Sequence, residues 1–259
     1  MPSISVHGAS VFYRRHPARE AGEAGNVPLL LVHGAGGTLT HWPPHLRRLP
    51  GRTVMRLICP ATASRPAPPG VHSGVRHVAG RAAGCAAHRS RGAGRSLHGR
   101  RHRVGCGPAL PGAGGGAGAA GHRAHVARPP ALLDGLRSDF AATTARIARL
   151  AYARTVADEL VAAYAAQLQT VDPALLIADF QACNAFDVRG QLAAVTAPTL
   201  ILVGTEDRMT PPALSRALHA GLPDSTLTIL DGAGHMLMLE QEAAVMAELD
   251  TFLKTHSHG

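Results

Sequence analysis

Three short stretches of this chain carry side chains or backbone groups suited to chemistry. His235 stands in Asp231-Gly232-Ala233-Gly234-His235-Met236, a glycine-rich turn directly after the run Thr226-Leu227-Thr228-Ile229-Leu230. An imidazole exposed on such a turn is a candidate general base. Asp207 lies 28 residues earlier, in Gly204-Thr205-Glu206-Asp207, just past the apolar run Thr199-Leu200-Ile201-Leu202-Val203. A carboxylate in that place either orients an imidazole or caps the helix that starts near Pro211, and Glu206 competes for the role. The third stretch, His33-Gly34-Ala35-Gly36-Gly37-Thr38, comes after Val27-Pro28-Leu29-Leu30-Leu31-Val32. Its glycines let backbone N–H groups turn toward a developing negative oxygen. The same pattern suits an ordinary strand-to-helix turn or a phosphate loop, but neither Gly-Lys-Ser/Thr nor G-x-G-x-x-G comes after it.

The elements that must position these groups are legible on both sides of the chain's middle. Residues 4–13 alternate apolar and polar, which predicts an edge strand, and residues 27–32 form the short continuous apolar run of a buried parallel strand. Trp42 and the segment to residue 49 read as a first helix. Residues 131–153, 155–168 and 173–182 are rich in Ala, Leu and Arg at helical spacing and read as three or so helices. A core strand over 199–203, a helix over 212–220, a strand over 226–230 and a helix over 240–254 complete the series. Strands alternating with helices predict an α/β class, with a mostly parallel central sheet and helices on both faces. The length of 259 residues fits one domain, 1–259.

A strand running into His-Gly-x-Gly-Gly, an acid in a G-x-x-D pattern after a later strand, and a histidine on a glycine turn after the last strand together resemble the α/β-hydrolase superfamily. The resemblance covers residues 27–42 and 199–254. It implies an α/β-hydrolase fold with a small helical cap, 131–190, over the active site. It further implies a Ser-His-Asp triad in which His235 takes the serine proton while Asp207 fixes the imidazole tautomer and stabilises the imidazolium. The backbone N–H of Ala35 or Gly36 would be one oxyanion donor. The reaction implied is acyl transfer to water on an ester or similar small carbonyl substrate, through an acyl-enzyme, with no metal or organic cofactor. The same scaffold also hosts thioester, lactone and carbon–carbon cleavage.

The serine is where the chain departs from the pattern. Ser96 has Gly94 two residues before it but His98 where the second glycine of a nucleophile elbow belongs, and no apolar strand precedes it. It is a fallback nucleophile. It sits in a block, residues 54–128, whose composition differs from everything around it. From Arg52 to Arg128 there are 13 Arg and no Asp, Glu, Lys, Phe, Tyr or Trp; the remaining 13 basic residues face all 17 acidic ones. The whole net charge of +9 therefore originates there. A single lysine, Lys254, against 25 arginines points to GC-rich coding DNA, which yields Arg, Gly, Ala, Pro and His when read out of frame.

The genetic code supports a shifted frame. Residues 57–63 can be encoded CTG ATC TGC CCG GCC ACG GCC, which from the third base reads Asp-Leu-Pro-Gly-His-Gly, similar to the loop after the next sheet strand of the superfamily. Residues 95–104 with the next base can be CGG TCA CTC CAT GGG CGG CGC CAT CGC GTT G. From the second base this reads Gly-His-Ser-Met-Gly-Gly-Ala-Ile-Ala-Leu, a G-x-S-x-G elbow with its helix. Residues 110–114 with the next base can be CTA CCC GGA GCG GGT G, which in that same frame reads Tyr-Pro-Glu-Arg-Val. One missing base, then two, then three restores the frame by about Arg128. The intended serine is then coded across Leu97 and His98, and the block as written is expected to be disordered or misfolded, leaving the literal chain poorly folded and weakly active.

Two other function classes are weaker. A basic nucleic-acid module centred on residues 89–103 would bind with strong salt dependence, but no aromatic residues interleave its arginines, so no nucleic-acid partner is expected. A hydrolase relative that kept Asp207 and His235 but lost its serine is the other alternative. No run approaches the length of a membrane span and residues 1–5 lack a secretion layout, which predicts a cytoplasmic protein that does not engage a membrane. Cys59, Cys85, Cys106 and Cys183 show no C-x-x-C spacing and predict neither zinc nor disulfides. The expected partner is a small-molecule substrate; oligomeric state is not legible.

Overall fold

The six residues of Thr199–Gly204 are all buried, and their period of two divides them between two cores. Leu200 and Leu202 join one hydrophobic cluster and Ile201 the other. A strand apolar on both faces must lie inside a sheet covered on both sides. The computed structural model of the chain has such a sheet; it describes residues 2–6, 9–18, 29–39, 41–58, 85–90, 101–106, 130–185, 189–195 and 197–256.

The strands are β1 (Ser3–Val6), β2 (Ala9–His16), β3 (Leu29–Val32), β4 (Val54–Ile58), β5 (Cys85–Ser90), β6 (Arg101–Cys106), β7 (Thr199–Gly204) and β8 (Ser225–Leu230). They form one eight-stranded sheet in the order β1-β2-β4-β3-β6-β5-β7-β8. The pairs β3–β4, β3–β6 and β7–β8 are parallel, whereas β1–β2, β2–β4, β5–β6 and β5–β7 are antiparallel. Only β2 and β5 therefore run against the other six, and the sheet is mostly parallel in direction.

The expected edge strand over 4–13 is a hairpin of two strands, β1 and β2. Three strands, β4, β5 and β6, come from the compositionally odd block 54–128, whose other residues lie outside those described. The two central positions of the sheet are filled by β3 and by β6, aligned from Leu29↔His102 to Val32↔Gly105, and the reversed β5 follows beside β6.

Helices cover both faces. They are α1 (Pro44–Arg47), α2 (Pro130–Ser138), α3 (Phe140–Ala151), α4 (Asp158–Gln169), α5 (Pro173–Ala185), α6 (Pro212–Gly221), α7 (Leu237–Glu240) and α8 (Glu242–Thr255). Leu214 and Leu218 of α6, one turn apart, pack with Ile201 on one face. Val245, Leu249, Phe252 and Leu253 of α8 repeat at helical spacing and pack with Leu200 and Leu202 on the other. Burying each such side chain contributes about 1.5–3 kcal/mol. Among the described residues no single helix is long and apolar enough to cross a membrane.

Helices α2–α5 are inserted between β6 and β7. The first expected helix, 131–153, is divided at Asp139, whose side chain accepts from the Ala142 N–H at 3.0 Å and so starts α3 afresh. The expected helix over 240–254 is α8, which starts two residues later at Glu242, and Glu240 instead ends the short α7.

Candidate active site

β3, β7 and β8 run in one direction, so the loops after them emerge at a single edge of the sheet. His33, Asp207 and His235 occupy those loops. In open parallel sheets that edge is where ligands bind.

Asp207 and His235 meet there. His235 Nδ1 lies 3.0 Å from Asp207 Oδ1 and 3.1 Å from Oδ2. The carboxylate also accepts from the Met209 and Thr210 N–H groups at 2.8 and 2.7 Å, and from the Thr210 hydroxyl at 2.8 Å. Burial alone would push the Asp207 carboxyl up, but the facing His235 and these hydrogen bonds outweigh it and hold the group below its ordinary 3.8. An ionised carboxylate only accepts, so Nδ1 carries the proton and Nε2 of the neutral ring is left with its lone pair. Nε2 has no hydrogen-bond partner among the described residues. Stability linked to Asp207 is present above about pH 4 and is lost as pH falls through its depressed folded value.

The two alternatives left open for the acid separate by geometry. Glu206 turns away and accepts from the Arg154 N–H at 2.9 Å. Helix α6 begins at Pro212 with no side-chain cap, and the amides Asp207 holds precede it. Asp207 is therefore bonded to the imidazole and to its own turn.

Close backbone contact sets the distance between the two loops. A Cβ on Gly204 would lie 2.0 Å from the carbonyl oxygen of Ala233, and Glu206 N–H donates to that same oxygen at 2.9 Å. Only glycine fits at the end of β7. We expect Gly204→Ala to cost about 3 kcal/mol or more, because backbone rather than a side-chain tip must move; a denaturant midpoint within 1 kcal/mol of wild type, on the scale of an ordinary surface change, would contradict this close packing. From the helical insert, the Ala151 carbonyl accepts the His235 and Met236 N–H groups at 2.9 and 3.1 Å. Glu240 Oε2 accepts from Gly234 and Ala153 at 2.9 and 3.1 Å. The histidine turn is thus clamped from the strand side and from α3.

The glycine loop after β3 is buried at His33, Gly34, Gly36 and Gly37. Gly36 has φ +66, a left-handed backbone that glycine adopts without strain. Its N–H donates to Asp179 Oδ2 of α5 at 3.0 Å. Asp179 is 2% exposed and its Oδ1 has no partner among the described residues; burial pushes its carboxyl up to about 7, against a smaller opposing pull from the Gly36 bond. Ala35, half-buried, packs against the main core. His41 is half-buried with its Nδ1 shielded from solvent, and desolvation, then the nearby His33 and His235, press its imidazole down to about 3. It lies edge-on to Trp42 and Tyr164, at ring separations of 6.4 and 6.2 Å, and Tyr164 meets Tyr152 in the same way at 6.0 Å.

Ser96 lies outside the described residues. The strands that bound its segment place their ends far from the histidine: Ser90 of β5 pairs with Arg101 of β6 at the edge where β3 and β7 begin. His235 comes after the opposite end of β8. Among the described residues no group of three or more His, Cys, Asp and Glu could hold a metal ion. Asp179, Glu240 and Thr210 take part in the site without having been singled out in the sequence. The signal for Asp179 was a lone acid within Leu175-Leu176-Ile177-Ala178-Asp179-Phe180.

A mostly parallel sheet covered by helices on both faces, with a His–Asp pair on the loops after its last two strands, is the α/β-hydrolase fold. Residues 174–258 match a family described as TAP-like protein. The esterase of Exiguobacterium antarcticum superposes with a TM-score of 0.69 at 15% identity, over 97% of this chain and 98% of that one. The enol-lactonase of Burkholderia xenovorans LB400 gives a TM-score of 0.64 at 18% identity, over 98% and 100%. In sequence, the proposed carbamate hydrolase RutD of Variovorax paradoxus is 35% identical over 102 residues, which are 39% of this chain and 37% of that protein. The chain thus spans less than two fifths of the curated relatives it matches.

Proposed function

We propose that this chain is the product of a gene for a serine hydrolase that acts on an ester or similar small carbonyl compound. The observation that carries the reading is the buried His235–Asp207 bond at 3.0 Å on the loops after β7 and β8. In the proposed reaction His235 Nε2 takes the proton of a serine hydroxyl, and Asp207 holds the tautomer and stabilises the imidazolium. The N–H of Ala35 or Gly36 receives the oxyanion, with a second donor from the residue after the nucleophile. Water, activated by the same imidazole, releases the acyl group. Residues 1–259 form one domain in this reading, and 131–190 are its cap. Similarity to an esterase, an enol-lactonase and a carbamate hydrolase supports a small carbonyl substrate.

The nucleophile depends on the reading frame: block 54–128 is out of frame and the serine is coded across Leu97 and His98. Sequencing the DNA across this block tests it directly, since codons that cannot be regrouped into Gly-His-Ser-Met-Gly end the proposal. The functional test is a fluorophosphonate probe applied to both chains. The frame-restored chain is expected to label in a His235-dependent manner, and the chain as written weakly or not at all. Labelling at Ser96 of the written chain would show that no repair is needed. A restored chain that does not label would favour the second reading, a relative without catalysis, which the unpartnered Nε2 of His235 already suits.

A further inference from the structure

Five arginines converge where β2, β4 and α1 meet. Arg14, Arg15, His16, Pro44, Arg47, Arg48 and Arg56 line a cavity of about 290 Å³, and among the described residues no acidic side chain lines it. Arg14 and Arg56 are direct cross-strand partners, and like charges in that relation are destabilising. Arg47 ends α1 and Arg48 is the next residue. Arg56 is 6% exposed; one of its Nη atoms donates to the Leu39 carbonyl at 2.6 Å, but its Nε is buried without a partner, as is Nε of Arg47. Burial, then Arg47, Arg14 and Arg48, press the Arg56 guanidinium below its ordinary value. Among the described residues none of these five arginines has a carboxylate partner.

A buried, unpaired guanidinium beside three others is costly unless an anion joins it. We propose that this pocket binds a phosphoryl group, as inorganic phosphate, pyrophosphate or a small phosphomonoester. A carboxylate offers two oxygens, too few for guanidinium forks arriving from two strands and a helix. A phosphoryl group offers three or more and accepts such forks in pairs. Among the described residues no Phe, Tyr or Trp lines the cavity, and its volume suits a small ligand. From β4 to β8 there are five strand spacings, roughly 24 Å, so the pocket is separate from His235 and Asp207. It goes beyond the hydrolase reading, and because Arg56 lies in block 54–128 it belongs to the chain as written.

The test uses the full chain and titrates pyrophosphate and phosphate against thermal unfolding, with ³¹P resonance as a second readout, at constant ionic strength. Acetate, chloride and sulfate serve as controls, since sulfate stabilises folded proteins in general. Saturable binding of pyrophosphate, weakened roughly tenfold or more in Arg47→Gln/Arg48→Gln, is expected, because hydrogen bonds to charged groups are lost. Arg56→Met, which keeps the buried volume, is expected to abolish it and offers a second variant should the double one unfold. Equal effects from acetate or chloride, no saturable binding of either the soluble phosphates or phosphatidic acid vesicles, or unchanged affinity in both variants would overturn the proposal. Vesicles of phosphatidylcholine with phosphatidic acid form the last arm. Arginine-dependent binding there without a response to soluble phosphates supports the phosphoryl site and assigns its source to a lipid headgroup.

Discussion

Asp207→Asn is expected to lower kcat roughly 10⁴-fold in the frame-restored chain, with KM little changed. The carboxylate now accepts from Nδ1 at 3.0 and 3.1 Å while the Met209 and Thr210 amides and the Thr210 hydroxyl hold it in place. An amide side chain can keep the contacts to the turn through its oxygen, but its nitrogen then faces Nδ1 as a donor. The ring must offer its lone pair there and carry its proton on Nε2, the atom that has to receive one. The base is lost without moving the ring. In the chain as written the same substitution is readable without turnover. Wild-type stability falls as pH drops below about 4, where the depressed Asp207 carboxyl takes up a proton, and that part of the acid limb disappears in the variant. A kcat loss of less than tenfold would remove Asp207 from the mechanism and return the acid role to an open question.

The pair at the centre of that prediction was legible because parallel strands announce themselves. Thr199–Gly204 and the strand after it are apolar runs ended by glycine turns, and a residue just past the end of such a run lies at the carboxyl edge whatever the loop's details. The faces of α6 and α8 were legible for the same reason, since their leucines recur at helical spacing. Boundaries fared worse where one residue decides them: the start of α3 depends on the Asp139 side chain, and the alternation over 4–13 reads as continuous where the chain forms two antiparallel strands, β1 and β2. Contacts between distant segments were not legible at all. Nothing local says that Glu240 will hold Gly234 and Ala153, or that Arg208 will reach the Tyr152 carbonyl at 2.8 Å. The order of β5 and β6 belongs to the same class, because no periodicity in block 54–128 fixes a strand direction; their antiparallel pairing is a property of the sheet they join.

Asp179→Asn is expected to stabilise the chain at pH 8 and to leave it nearly unchanged at pH 4. Asp179 in the native fold is buried, with one oxygen on the Gly36 amide and the other on nothing among the described residues. Its carboxyl is raised from an ordinary 3.8 to about 7, so between those values the folded chain binds a proton that the unfolded chain has released. Stability therefore falls as pH climbs from about 4 to about 7, and above that the buried charge costs the fold on the order of 4 kcal/mol. Asparagine keeps the shape and the acceptor for Gly36 but carries no charge, so the gap between the two melting curves should open across that interval, toward roughly 8 °C or more. Melting temperatures that run parallel from pH 4 to pH 8 would mean the carboxyl is solvated or paired. The same geometry bears on the proposed chemistry, because the Gly36 N–H assigned to the oxyanion is already engaged. An acyl oxygen arriving there must displace Asp179 Oδ2 from its only hydrogen bond, and it does so at lower cost when the carboxyl is neutral. Catalysis needs His235 unprotonated, so the two demands oppose each other in pH, and Asp179→Asn relieves one of them. In the restored chain the variant should lower KM most at alkaline pH, and a KM effect independent of pH would separate the amide of Gly36 from the oxyanion.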